Sequence, residues 1–248
     1  MEPPDGMSIN LPIGVAMKPT TFEHHDQPKA KLGHLTLHED HHYRNLPVQV
    51  TRGPLIEEYL ERLYEVALES LMDNSRVFAV RVDLRFPVSY WPLEGEALGN
   101  EYIRRFWEVL KYRLSRYQLR KGRIHPAKLH YAWAREYKAG ETKPHFHLLI
   151  LLNGHAFNTL GNFNYSGENL HNVIAESWAN VLMLPEFEGK GLANFPVDGQ
   201  YLVRRGVEWE LQKLFLRGSY LTKAATKSFD DGYHSFRTSQ TSVGGWMW

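Results

Sequence analysis

Cysteine is absent from the 248 residues, which removes disulfides, thiolate zinc sites and thiol nucleophiles at once. No apolar run approaches the ~18–20 residues that a membrane-spanning helix needs. The opening Met1-Glu2-Pro3-Pro4-Asp5 has no basic stretch leading into an apolar one, so a cytoplasmic protein without membrane contact is expected. Internal repeats and low-complexity tracts are missing as well. The net charge is only +1, and a total that small says nothing about nucleic acid. What is present, 43% hydrophobic and 23% charged residues, is ordinary for a globular chain and excludes disorder and collagen. A chain of this length buries roughly 70% of its unfolded surface and stands without staples.

The charge is unevenly placed. Residues 1 to 66 are acid-rich, whereas Arg104, Arg105, Lys111, Arg113, Arg116, Arg120, Lys121, Arg123 and Lys128 face a single acid, Glu108, over one short segment. Such a segment suits a phosphate backbone, and it equally suits a solvated helix face.

Residues 1–53 read as an irregular, partly ordered arm, with Pro at 3, 4, 12, 19, 28 and 47. His38-Glu39-Asp40-His41-His42 within it matches the HExxH zinc-protease pattern literally. That chemistry requires a helix, and Leu35-Thr36-Leu37 alternates like a strand, so the match reads as accidental even with Glu61 at a third-ligand distance.

From residue 54 the periodicity predicts one α+β domain extending to 248. Helices are expected over about 54–72, 100–118, 168–184 and 207–227, where apolar residues recur at three and four. Strands are expected over 77–86, 129–137 and 144–152, the last two joined as an antiparallel hairpin through Ala139-Gly140. The anticipated architecture is a central antiparallel sheet of about five strands with helices packed on it. Trp107, Trp133, Trp178 and Trp209 fall at apolar periodic positions and are expected in the core, and the lone His130 and His155 are expected to be structural.

His145 and His147 flank Phe146 on a predicted strand, so both imidazoles project from one face, ~7 Å apart along it. If the turn centres between Gly140 and Glu141, Glu136 lies across from His145, and cross-strand partners share a face at ~5 Å. Two nitrogens and a carboxylate suit Mg²⁺ or Mn²⁺ with positions open to a phosphate better than a closed zinc site. A bare His-x-His is also what an ordinary strand with two half-exposed histidines looks like. On the last predicted helix, Tyr220 and Lys223 stand at i and i+3, one face, with Lys227 a turn beyond. A phenol of pKa ~10 is about one part in a thousand ionised at pH 7, a deficit of ~4 kcal/mol. A neighbouring cation and a metal on the target phosphate together can supply it.

Taken jointly, Lys143-Pro-His-Phe-His-Leu-Leu-Ile-Leu-Leu-Asn153 and Tyr220-Leu-Thr-Lys223 resemble the HUH endonucleases that initiate rolling-circle replication. More narrowly, the chain is similar to the inovirus-type replication proteins of filamentous phages and prophages. The likeness extends over about residues 54 to 241, through Val82-Asp83-Leu84, Trp133-Ala-Arg-Glu136, Glu176-Ser-Trp178 and Ser235-Phe-Arg-Thr-Ser239. It implies a metal held by His145, His147 and Glu136, and single-stranded origin DNA as substrate. Tyr220 would be the nucleophile forming a 5′-phosphotyrosine, with Lys223 steadying it. A host helicase is a candidate partner. Asp83 is expected behind a ligand imidazole, and Arg113, Arg116, Arg120, Lys227 and Arg237 are expected on the DNA. No second tyrosine lies within two turns of Tyr220, which leaves Tyr233 or a water to end the reaction. Two rival readings remain: a non-catalytic DNA-binding replication-control protein, and a His-metal hydrolase in a cupin-like barrel.

Overall fold

Strands buried on both faces read as continuous apolar runs, and two such runs form the middle of the fold. The computed structural model describes residues 35–92, 97–122, 128–164, 167–185, 188–189, 191–229 and 231–240. Four short strands come first: β1 (Leu37–His38), β2 (His42–Tyr43), β3 (Leu46–Pro47) and β4 (Leu55–Ile56). Then follow α1 (Glu57–Asp73), β5 (Arg76–Leu84), α2 (Asn100–Arg120), β6 (His130–Glu136), β7 (His145–Asn153) and α3 (Leu170–Val181). The chain closes with β8 (Ala193–Asn194), β9 (Gln200–Arg204), α4 (Glu208–Ser219) and β10 (Phe236–Thr238).

Among the described residues the main sheet has six strands in the order β10-β6-β7-β5-β8, with β9 also on β5. Every pairing is antiparallel. β9 lies along Arg76–Val80 and β8 along Asp83–Leu84, so the two share one edge and the sheet is five positions wide. The α+β fold expected from periodicity is the one observed. The sheet is open, with no closed barrel among the described residues, so the fold is not the cupin-like barrel of the second rival reading.

Alternation along the strands sorts the core into two layers. Phe78, Val80, Val82, Trp133, Phe146, Leu148 and Ile150 pack beneath α2 and α3 with Phe106, Trp107 and Trp178. On the other face Val77, Ala79, Ala132, Ala134, Leu149 and Leu151 meet α1 and α4 through Leu60, Leu63, Leu214 and Phe215. Small side chains on this second face let the helices sit close. At Gly218 of α4 a Cβ would come within 3.2 Å of the Leu149 Cδ2.

Two expectations are corrected. The boundary at residue 54 cuts through the packed unit: β1 pairs with β4, and Tyr43, Leu46 and Val48 are buried in the second layer. The hairpin β2–β3 turns on Arg44 and Asn45, both at positive φ, as a two-residue turn matched to strand twist requires. The rest of the expected arm, up to residue 34, lies outside the described residues. Within this segment His38 and His42 belong to different strands, so the HExxH match has no helix under it. Glu61, its conceivable third ligand, instead pairs with Arg44 at 2.9 Å.

The last helix is also shorter than expected. α4 stops at Ser219, a 3-10 turn covers Tyr220–Thr222, and Lys223 forms a bridge with Leu55 of β4. The Ala224 amide donates to the Pro54 carbonyl. Pairing with this extended segment competes with helical hydrogen bonds and prevails after residue 219.

Trp178 is wholly buried and its indole N–H donates to the Arg85 carbonyl at 2.7 Å. Trp178→Ala is expected to lower stability by ~3–5 kcal/mol, measured as a reduced midpoint of urea unfolding at constant slope.

Candidate metal and nucleophile site

The ladder between β6 and β7 places Glu136 directly across from His145 and Ala134 across from His147. The two imidazoles and the carboxylate therefore share the face covered by α1 and α4. His145 Nε2 lies 3.1 Å from His147 Nε2, and His147 Nε2 lies 3.3 Å from a Glu136 oxygen. All three donor atoms are within 4.8 Å of one another. Metal bonds of ~2.1 Å meeting at about 90–110° separate neighbouring donors by ~3.0–3.4 Å. The spacings of His147 to His145 and to Glu136 match those of neighbouring ligands on a small divalent cation, and the set is the only such group among the described residues.

A ligand imidazole must be neutral, with its lone pair facing the metal. Burial is the main cause that holds the His145 pKa down to about 4. Behind His147 stands Asp83, its cross-strand partner on β5, whose Oδ1 is 2.5 Å from His147 Nδ1. A carboxylate this close places the proton on Nδ1 and leaves Nε2 as the free donor. Asp83 thus occupies the supporting position expected of it. Burial alone would raise its pKa; the hydrogen bond from His147 and the charge of Arg81 outweigh that and hold it well below the usual carboxylate range.

Arg81 is buried, and it anchors this group. One guanidinium nitrogen donates to Asp83 at 2.9 Å, and another to the Leu148 and Val82 carbonyls at 2.8 and 3.1 Å. Its placement was not anticipated, although a signal existed: Val80-Arg81-Val82-Asp83 sets two opposite charges two apart on one face of an apolar strand.

Tyr220 and Lys223 arrive from the segment after α4. The Tyr220 ring stands edge-on to His147 with centroids 5.3 Å apart. The Lys223 ammonium sits 3.8 Å from the centre of the same ring and also pairs with Glu136. In a 3-10 turn residues three apart eclipse, so the change from helix keeps phenol and ammonium together. Arg81 lies on the other side of the site, with its guanidinium carbon 5.8 Å from the Tyr220 centroid.

Lys227 departs from expectation. Rather than facing DNA it is fully buried and donates to Glu136 at 2.9 Å. Burial pushes its pKa down to about 8, and the carboxylate opposes that fall. Thr226 completes the shell with a 2.8 Å hydrogen bond to the same carboxylate. The reason is the end of α4: once the chain leaves the helix it turns inward, and an ammonium there neutralises Glu136. Glu136 itself is held far below the usual range, because Lys227, His147 and Lys223 together overcome its burial.

The remaining cations lie elsewhere. α2 packs on the opposite face of the sheet, so Arg113, Arg116 and Arg120 are separated from the histidine pair by the sheet itself. Arg113 pairs with Glu176 and Arg120 with Glu168, each at 2.7 Å, while Arg116 is exposed. Arg237 is exposed on the edge strand β10, against His234. Tyr233 stacks 5.0 Å from Arg135, a residue of the α2 face, and does not reach the metal-bearing side. Trp107, Trp133 and Trp178 are in the core as expected, but Trp209 is 53% exposed on the outer side of α4. His130 and His155 hydrogen-bond Asp73 and Ser75, structural roles both.

The fold and site define an open antiparallel sheet protein that presents a His-His-Glu group to a tyrosine and a lysine. The chain belongs to the YagK/YfjJ C-terminal domain family, whose sequence profile matches residues 38–239 and so begins at β1. It is 28% identical over 201 residues to "Uncharacterized protein YfjJ" of Escherichia coli (strain K12), covering 76% of this chain and 96% of that protein. It is 30% identical over 210 residues to "Uncharacterized protein YagK" of the same organism, covering 79% and 98%. No solved structure matches.

Glu136→Gln would leave two ammonium groups facing a neutral amide. A loss of ~3–5 kcal/mol in unfolding free energy is expected, read from urea titration. For Asp83 the folded pKa is depressed, so its contribution is complete above the unfolded value of ~4 and fades as the pH falls through that range. Melting temperatures of the parent and of Asp83→Asn should differ at pH 6, and the difference should narrow as the pH falls from about 4 to about 2.5 without closing there.

Proposed function

We propose that this protein is a metal-dependent nickase and strand transferase of the HUH kind, acting on single-stranded DNA to initiate rolling-circle replication. The observation that carries the reading is convergence: Tyr220 and Lys223, some seventy residues from the hairpin, lie against His147 and Glu136. Neither motif has chemical meaning alone; together they supply a nucleophile, a cation and a metal-ligand set.

His145, His147 and Glu136 would hold Mn²⁺ or Mg²⁺, which when bound polarises a phosphate oxygen and stabilises charge in the transition state. The two nitrogen donors favour Mn²⁺. The residues do the rest. Lys223 places its ammonium at the Tyr220 ring and stabilises the phenolate as its proton leaves to solvent. The Tyr220 oxygen attacks phosphorus in line, the O–P bond forms, the P–O3′ bond breaks, and the departing 3′ oxygen takes a proton. One phosphodiester replaces another, so the linkage conserves the free energy needed to rejoin the strand. With Tyr233 on the other side of the sheet, the terminating step falls to a DNA 3′-hydroxyl, which rejoins the strand and releases the Tyr220 oxygen, or to water, which hydrolyses the same phosphotyrosine to a 5′-phosphate.

Incubation with a labelled pool of random single-stranded oligonucleotides and Mn²⁺, followed by a denaturing gel, should give a covalent protein–DNA band. Tyr220→Phe and His145→Ala should abolish it, chelation should abolish it, and Lys223→Ala should slow it about a hundredfold. A non-catalytic replication-control protein would bind the same oligonucleotides and give no band. Mn²⁺ alone should raise the melting temperature of the parent and leave that of His145→Ala unchanged.

A further inference from the structure

A cavity of about 530 Å³ opens beside His145, lined among others by Arg85, Val88, Trp91, Lys143 and Pro144. Three observations set it apart. Trp91 is 78% exposed, an unusual state for the side chain that gains most from leaving water. Its ring is not loose: the Lys143 ammonium stands 5.1 Å over it and donates to the Pro87 carbonyl at 2.9 Å and to that of Val88. These bonds tie the loop after β5 to the turn before β7, so the indole is held as a wall of the cavity. The third observation is Arg85. It follows Arg81 and Asp83 at two-residue spacing, one step beyond the Leu84–Phe146 pair, so it projects on the metal-bearing face next to His145. Arg85 is exposed; its charge is felt by Glu141 across the cavity, but the direct ion pair of Glu141, at 3.0 Å, is with Lys138.

A rigid, exposed aromatic face beside a guanidinium matches one repeating unit of single-stranded nucleic acid, a base and its phosphate. We infer that this cavity binds a nucleotide adjoining the scissile phosphate of single-stranded DNA, with its base stacked on Trp91 and its phosphate on Arg85. The inference rests on the nickase reading for the position of the scissile phosphate, but the binding it describes is separable from nicking. Lys143 acts through Trp91, as a positioning residue that presents the indole.

Binding is measured by fluorescence anisotropy with a fluorescein-labelled pool of random 30-nucleotide single-stranded DNA, using Tyr220→Phe protein so that no strand is cut. Trp91→Ala in that background should weaken binding about tenfold and Trp91→Tyr should restore most of it. Arg85→Ala should weaken binding and reduce the slope of log affinity against log salt by about 0.7. Trp209→Ala, an exposed tryptophan on α4, should change nothing. Affinity of Trp91→Ala within twofold of its parent, or no binding by the parent at all, overturns the inference. If the unsubstituted protein forms the covalent band while Trp91→Ala binds normally, only the cavity assignment fails. If Trp91→Ala loses affinity while no band forms under any condition, only the nickase reading fails.

Discussion

The buried carboxylate of Glu136 organises this structure. An ion of that size away from water carries a penalty of several kcal/mol unless neutralised, and four groups from two parts of the chain supply the compensation. Lys223, Thr226 and Lys227 come from the segment after α4, and His147 from the neighbouring strand. The requirement is mutual. The ammonium of Lys227 has no other carboxylate in reach among the described residues, so the segment after α4 is drawn onto the sheet by charge as much as by the apolar contacts of Leu221. That segment contains Tyr220, and the position of the phenol is thereby a consequence of how Glu136 is neutralised.

The sheet imposes the second constraint. With a side-chain period of two, β5 sends Phe78, Val80, Val82 and Leu84 toward α2 and α3, and Arg81 and Asp83 toward the site. A register slip of one residue would exchange these sets and bury both charges among aromatics. Long antiparallel ladders on both sides of β7 prevent it. Polar chemistry is then confined to one end of one face, where Asp83 reaches His147 across the strands and small alanines leave room behind. The other face is mostly committed to packing, with the buried Arg135 paired to Asp231 at its end, and the arginine-rich α2 carries its charges outward and into ion pairs with α3 and its flank, rather than toward the histidines.

Much of this was legible in the amino-acid order. The alternation around His145-Phe146-His147 and the position of Gly140 suffice to set Glu136 opposite His145, because a hairpin's turn fixes every pair that follows it. The apolar periodicities of α1 and α2 suffice to locate both helices within a few residues. Arg81 was readable in retrospect, as a charge has no reason to sit within an apolar strand unless a partner two residues away shares its face. Trp209 was not: position on an apolar period identifies a stripe, and whether anything covers that stripe depends on which helix lies next to it.

Local order in the chain thus determined the pairing of β6 with β7, the facing of both imidazoles and the carboxylate, and the class of fold, because periodicity and turn geometry act over a few residues. Only tertiary structure decided where the strong helical pattern around Tyr220 breaks, since the competing bridge to Leu55 comes from a residue more than 160 positions away. It also decided that Lys227 faces inward and that the basic helix lies behind the sheet. Those outcomes depend on long-range neutralisation and on which face of a sheet a helix covers, and neither quantity is written in the spacing of nearby residues.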